Sequence, residues 1–349
     1  MKVLFDLGHP AHFHVFKNTI ASLRSSGHEV EIIARQKDCL GDLLAASSWP
    51  HHLIPRKKRT LATLGIETLK AMWLAVSIAR KKKIDFMIGT SLVVGPAARL
   101  TGATALVFGE DDAAVVPLFA KLAYPMAHYV VTPDFLQFED SGPKRLTYRG
   151  CQALAYLHPA RFTPDAKIRD QLGVGAGEKY FLLRLVSLTA HHDIGERGIS
   201  SAQARQVLQR LLPHGRVFIS AEGSVADDLK PHLLPTRPEQ IFDVMAFADM
   251  MVGDSQTMTT EAALLGTPSL RFNSFVGRLT VRAQMEHRYG LSVGLRPDQF
   301  DQVIAQIDSW LNTPDLKDQW RSRRDAMLRE CVDLTQWILD LLARLGEKR

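Results

Sequence analysis

The first thirty-five residues constrain this chain most. "MKVLFDL" is an apolar run of strand length, and "HEVEIIAR" is a second. Between them, "HFHVFKNTIASLRSSG" places Phe13, Phe16, Ile20 and Leu23 at helical spacing, with Gly27 as the stop. Strand, helix and strand in so short a span make a right-handed βαβ unit, the opening of a doubly wound parallel sheet. The pattern continues through a helix over 61–80, the strand "DFMIG", a helix over 95–101 and the strand "TALVFG", then a helix near 115–123 and the strand "HYVVTP". After Cys151 the texture changes: "LAYLHPARFTPDAKIRDQLG" has prolyl turns and little periodicity, and reads as a linker. A second βα series begins at "KYFLLRLVSL" and runs through "RVFISAE", "MMVGD" and "TTEAALLG". The expected fold class is α/β, with two Rossmann-like domains facing across a cleft. Their bounds are 1–163 and 164–329, and a C-terminal helix over about 330–349 packs back on the first. A length of 349 residues suits two cores better than one.

The composition, 46% hydrophobic and 23% charged, is that of a soluble globular protein, and no apolar run is long enough to span a bilayer. Asp6 and His9 interrupt the first apolar stretch too early for a secretory signal. Cys39, Cys151 and Cys331 are scattered and odd in number, which fits a reducing, cytoplasmic setting and no Cys-rich zinc motif.

The net charge of +6 is local. From Pro55 to Lys83, the cations Arg56, Lys57, Lys58, Arg59, Lys70, Arg80, Lys81, Lys82 and Lys83 face one anion, Glu67, so the rest of the chain is slightly acidic. General nucleic-acid binding is therefore not expected. Arg80 to Lys83 end a helix, where cations complement the dipole. Arg56 to Arg59 precede it and oppose the dipole, which calls for an anionic partner. An anionic membrane surface, with the chain peripheral on its inner face, is one candidate, and an acidic glycan or pyrophosphate acceptor is another. The exposed face of the helix is expected to hold Met72, Trp73 and Val76.

Ligands of such sheets bind beyond the carboxyl ends of the strands. Three segments meet that condition: "DLGHPAHFHVF", "GEDDAA" and "GDSQTMTTEA". In the last, a helix is expected to start near Thr259 or Thr260. Its N-terminus and the hydroxyls of Ser255, Thr257 and Thr259 suit a phosphate, and Glu261 in the first turn suits a sugar's vicinal hydroxyls. A well-capped helix with no ligand explains the same residues. In the first segment, His12 and His14 diverge on a helix and no cysteine is near, so zinc is not expected. His12, at the start of the first helix, suits a general base, with Glu110, Asp111 or Asp112 orienting its far nitrogen; the alternative is a turn filled by polar residues. "GEDD" as a divalent-metal motif is the other reading of the acidic residues.

The two-domain layout and the "GDSQTMTTEA" loop resemble the GT-B nucleotide-sugar glycosyltransferases and the non-hydrolysing UDP-N-acetylglucosamine 2-epimerases. The resemblance implies Ser255, Gln256 and Thr257 at the diphosphate, Glu261 at the ribose, and His191 or His192 of "SLTAHHDIG" at the β-phosphate. The epimerases' glycine pair is replaced by Gln256 and Thr257. In many GT-B transferases a Gly-His pair opens the first helix with the histidine as base, which matches Ala11-His12. No metal or other cofactor is implied; the helix dipole, His191 or His192, and Arg271 or Arg278 would neutralise the leaving diphosphate. The similar epimerases carry an Asp where Thr90 stands here, although Glu110 matches an epimerase acid. Transfer of a sugar from a UDP-linked donor to an acceptor hydroxyl in polysaccharide or cell-envelope synthesis is therefore implied first. Epimerisation, and nucleotide-sugar binding without catalysis, are the alternatives. Across nearly the whole chain, "GHPAHFHVFK", "LAYLHPARFTPD", "RLVSLTAHHDIGERGIS" and "GDSQTMTTEAALLGTPSLRFNSFVGR" resemble the prokaryotic family called domain of unknown function 354.

Overall fold

The computed structural model describes residues 1–37, 39–55, 61–136, 144–186 and 198–347. The chain divides into two compact units, Met1–Arg161 with Cys331–Arg349, and Phe162–Glu330.

The first unit holds seven strands: β1 (Lys2–Leu7), β2 (Glu29–Arg35), β3 (His52–Ile54), β4 (Phe86–Gly89), β5 (Thr104–Phe108), β6 (Tyr129–Pro133) and β7 (Arg145–Tyr148). They form one parallel sheet in the order β3-β2-β1-β4-β5-β6-β7. The edge strands β3 and β7 are short and only partly apolar, so periodicity did not reveal them. The order reverses beside β1, the switch point where such sheets take ligands. Its helices are α1 (Pro10–Ser25), α2 (Leu40–Ser47), α3 (Leu61–Lys82), α4 (Val94–Thr101), α5 (Pro117–Ala123) and α6 (Leu154–Leu157). On α1, Phe13, Phe16, Ile20 and Leu23 are buried, as the helical spacing requires.

In the second unit, β8 (Tyr180–Leu185), β9 (Arg216–Ala221), β10 (Met250–Gly253), β11 (Ser269–Phe272) and β12 (Val293–Leu295) make a parallel sheet in the order β12-β11-β10-β8-β9. Its helices are α7 (Ile168–Gln171), α8 (Ser201–Leu211), α9 (Ile241–Phe247), α10 (Gln256–Leu264), α11 (Thr280–Ala283), α12 (Phe300–Leu311) and α13 (Leu316–Glu330). Strand β10 is buried along its whole length and is flanked by β8 and β11, the central place in a sheet covered on both faces. The last helix, α14 (Leu334–Gly346), belongs to the first unit, where it packs on α1 and Thr335 Oγ1 donates to the Ala155 carbonyl at 2.7 Å.

Candidate functional site

In the first unit the candidate residues gather where β1, β2 and β4 end. Asp6 is fully buried, and a carboxylate there is costly unless paired. Arg35 Nη2 donates to Asp6 Oδ2 at 2.9 Å, and Ser91 Oγ hydrogen-bonds the same oxygen. The guanidinium lies so close to Gly8 that a Cβ added there would stand 2.7 Å from Nη2, so a side chain at this position would have to push Arg35 aside. This Asp6–Arg35–Ser91 cluster was missed in the sequence. Its signal was an Asp inside an otherwise apolar strand.

His9 caps α1: its Nδ1 accepts from the Ala11 N–H at 3.1 Å, and Pro10 takes the first helical position, where no N–H is needed. His12, partly buried in the first turn, accepts the Gly8 N–H at Nδ1, 3.2 Å away. That bond directs the proton of the neutral ring to Nε2. Burial first, then His9, Arg35 and Lys37, hold its pKa well below the ordinary imidazole value, so the ring is neutral at pH 7. The expected carboxylate partner of His12 is thus replaced by a backbone amide. Glu110 instead accepts the Gln152 N–H at 2.6 Å, tying the end of β5 to the chain before α6. Asp111 is exposed, and the Asp112 carbonyl accepts the Val115 and Val116 N–H groups at 2.8 and 3.2 Å. Among the described residues, no three His, Cys, Asp or Glu side chains converge as a metal-ligand group.

His14 is partly buried, with its Nδ1 shielded from solvent. Its ring packs 5.3 Å from Tyr156, and burial, helped by Lys17 and His9, lowers its pKa to about 3. The unfolded chain takes up this proton near pH 6.5 and the native one does not until about pH 3, so acidification through that window favours unfolding. Denaturant titrations should show the wild type losing about 3 kcal/mol more than His14→Phe between pH 7 and pH 4.

The second unit places the hydroxyl-rich turn at the end of β10. Ser255 is the cap, with φ −78° and ψ 122°, and its Oγ accepts the Met258 N–H at 3.3 Å. Helix α10 therefore begins at Gln256, several residues before the expected Thr259 or Thr260. Two expectations change with it. Thr259 Oγ1 donates to the Ser255 carbonyl at 2.7 Å and is buried, so its hydroxyl is engaged within the helix. Glu261 stands in the second turn, not the first, and is only 4% exposed. Ser255, Gln256 and Thr257 remain partly accessible, and the N–H groups of Gln256 and Thr257 have no partner within the helix. Arg271 is 1% exposed and donates to Glu286 at 2.6 Å, so it belongs to a buried ion pair, while Arg278 is exposed over the Phe275 ring. His191 and His192 lie outside the described residues, as do Arg56, Lys57, Lys58 and Arg59.

Of the remaining basic cluster, Arg80, Lys81 and Lys83 are exposed, but Lys82 pairs with Glu31 at 3.1 Å. Trp73 is 72% exposed and shares its face of α3 with Ile66 and Leu69. Met72 and Val76 pack against the core instead, because Ala71, Ala75, Ile78 and Ala79 turn that side of α3 inward.

A sequence model of the family described as "Protein of unknown function (DUF354)" matches residues 1–279. The chain belongs to the DUF354 family. No curated protein matches this DUF354 chain in sequence. Its fold is GT-B-like, as three solved structures show. A putative UDP-N-acetylglucosamine 2-epimerase from Listeria monocytogenes has a TM-score of 0.72 at 13% identity, covering 99% of this chain and 97% of that one. The UDP-GlcNAc 2-epimerase from Neisseria meningitidis bound to UDP-GlcNAc gives 0.65 at 12%, covering 99% and 100%. CalG4, the calicheamicin glycosyltransferase, gives 0.60 at 12%, covering 99% of each.

Proposed function

We propose that this DUF354 protein transfers a sugar from a nucleoside-diphosphate donor, UDP-linked, to an acceptor hydroxyl in polysaccharide or cell-envelope synthesis. The observation that carries this reading is the Ser255-capped start of α10 at the carboxyl end of β10, where the Gln256 and Thr257 N–H groups and the Ser255 and Thr257 hydroxyls can meet an anion. The diphosphate binds there, with Glu261 toward the ribose and His191 or His192 toward the β-phosphate. As the C1–O bond breaks, its electron pair passes to the diphosphate, and the helix N-terminus stabilises that charge without a metal or other cofactor. The acceptor oxygen forms the new bond to C1. His12 supports this step as a neutral Nε2–H donor, since its Nδ1 is occupied by Gly8, and Glu110, Asp111 or Asp112 takes the acceptor proton. Thr90 has no carboxyl to exchange a proton with the sugar, which favours transfer over epimerisation.

Incubation with UDP-sugars tests the reading. Acceptor-dependent UDP release supports transfer, an isomerised sugar with no UDP released supports the epimerase, and binding alone supports neither.

We further propose that the acceptor is lipid-linked or an acidic glycan and that α3 meets an anionic membrane surface. No helix among the described residues is long and apolar enough to cross a membrane. The exposed Ile66, Leu69 and Trp73, with Lys70, Arg80, Lys81 and Lys83, support interfacial contact instead. Sedimentation with anionic liposomes should be strong at low salt, and weakened by high salt and by Trp73→Ser; no lipid-dependent binding by the wild type removes the membrane role.

A further inference from the structure

Asp254 follows β10 and precedes the cap of α10, and it is 2% exposed. Its two carboxylate oxygens accept backbone N–H groups from two separate places: Val186 to Oδ1 at 2.8 Å and Ile199 to Oδ2 at 3.0 Å. Val186 directly follows β8, and Ile199 stands just before α8, so one side chain holds the chain on both sides of residues 187–197. Gly198 packs on the same carboxylate, where an added Cβ would overlap Oδ2. The Asp254 main chain is fixed as well. Its N–H donates to the Arg184 carbonyl at 3.3 Å, and its carbonyl accepts from Asn273 Nδ2 at 2.8 Å.

We propose that Asp254 is a positioning residue: its carboxylate locks the exit of β8 and residues 198–199 against the start of α10, and thereby sets the affinity of that helix start for a nucleotide diphosphate. This rests on the nucleotide-sugar reading above. The physical reason is that both oxygens are needed as acceptors. A proton on either one removes the charge and occupies a lone pair, and one of the two ties is weakened. Burial raises the Asp254 carboxyl to about 6, against the Ile199 and Val186 N–H groups and the charge of Arg184 on β8, which pull it down. Arg184 is the one charged group acting on it among the described residues. Because the folded pKa lies above the ordinary carboxyl value, the native state keeps this proton up to about pH 6. The locked form is present above that pH and lost below it.

The test uses the full chain and UDP-N-acetylglucosamine, whose phosphates do not titrate in this range. Calorimetry should show wild-type affinity falling about tenfold from pH 7.5 to pH 5. Asp254→Asn, with one acceptor oxygen, should already bind about tenfold more weakly at pH 7.5 and should lack the wild type's loss of affinity toward pH 5. In the ligand-free wild type, the Val186 and Ile199 amide resonances should move together with one midpoint near pH 6. If Asp254→Asn does not fold, Gly198→Ala keeps the carboxylate but forces Ile199 away, and should show the same tenfold loss at pH 7.5. Static amide resonances, or a variant that keeps the wild-type affinity and profile, would overturn the role. Amides that titrate together with no UDP-sugar bound at any pH would overturn the nucleotide-sugar reading and this role with it.

Discussion

His12→Phe is expected to lower sugar transfer by about 10²–10³-fold while leaving UDP affinity unchanged, because it removes one oriented donor from the first unit and nothing from the second. The ring's Nδ1 accepts the Gly8 N–H, and its surroundings keep it neutral. Proton removal and hydrogen-bond donation then predict different results for a second variant. Gln retains a side-chain N–H donor and a carbonyl oxygen able to accept from Gly8, but it is no base. His12→Gln should therefore keep much of the activity lost in His12→Phe, and the rate should show no titration assignable to His12 between pH 6 and 8. Equal loss in the two variants would return the residue to the role of general base. Wild-type turnover in His12→Phe would make it a turn residue only.

Gln256→Pro should weaken UDP binding about 10–100-fold with little effect on stability. Position 256 is the first of α10, where proline is accommodated because the N–H has no partner within the helix. Ser255 already has the extended backbone that a following proline requires. The substitution thus deletes one N–H aimed at the proposed diphosphate and leaves the helix in place; a hydrogen bond to a charged group contributes about 1.5–3 kcal/mol. Calorimetric titration with UDP decides it, and unchanged affinity in a folded variant would remove the helix start from the site. Glu261→Ala, expected to cost about 1–3 kcal/mol of UDP affinity, bears on the ribose independently.

Much of the arrangement was legible because it rests on local rules. The βαβ periodicity of residues 1–35 and the strand–turn–helix at "MMVGDSQTMTTEA" specify parallel sheets with loops at their carboxyl ends. Helix onset was less legible. Serine and threonine are both good caps, and "SQTMTT" offers several; Ser255 takes the role, and Thr259 and Thr260 turn their hydroxyls back to the carbonyls four residues earlier. The pairing of Lys82 was hidden for a related reason. Sequence shows a run of four cations, but only the packing of α3 beside β2 gives one of them Glu31 as a partner.

The sequence by itself determined the fold class, the strand ends at which ligands can bind, and the family, since hydrophobic period and turn chemistry act over short stretches of chain. Tertiary structure alone decided the state of the key polar groups. Asp6 is matched to Arg35 and Ser91, which are distant in sequence, and Asp254 to Val186 and Ile199. The physical reason is common to the two carboxylates. The protonation and donor pattern of a buried polar group depend on which partner reaches it within about 3 Å, and that partner is brought there by the sheet, not by its neighbours along the chain.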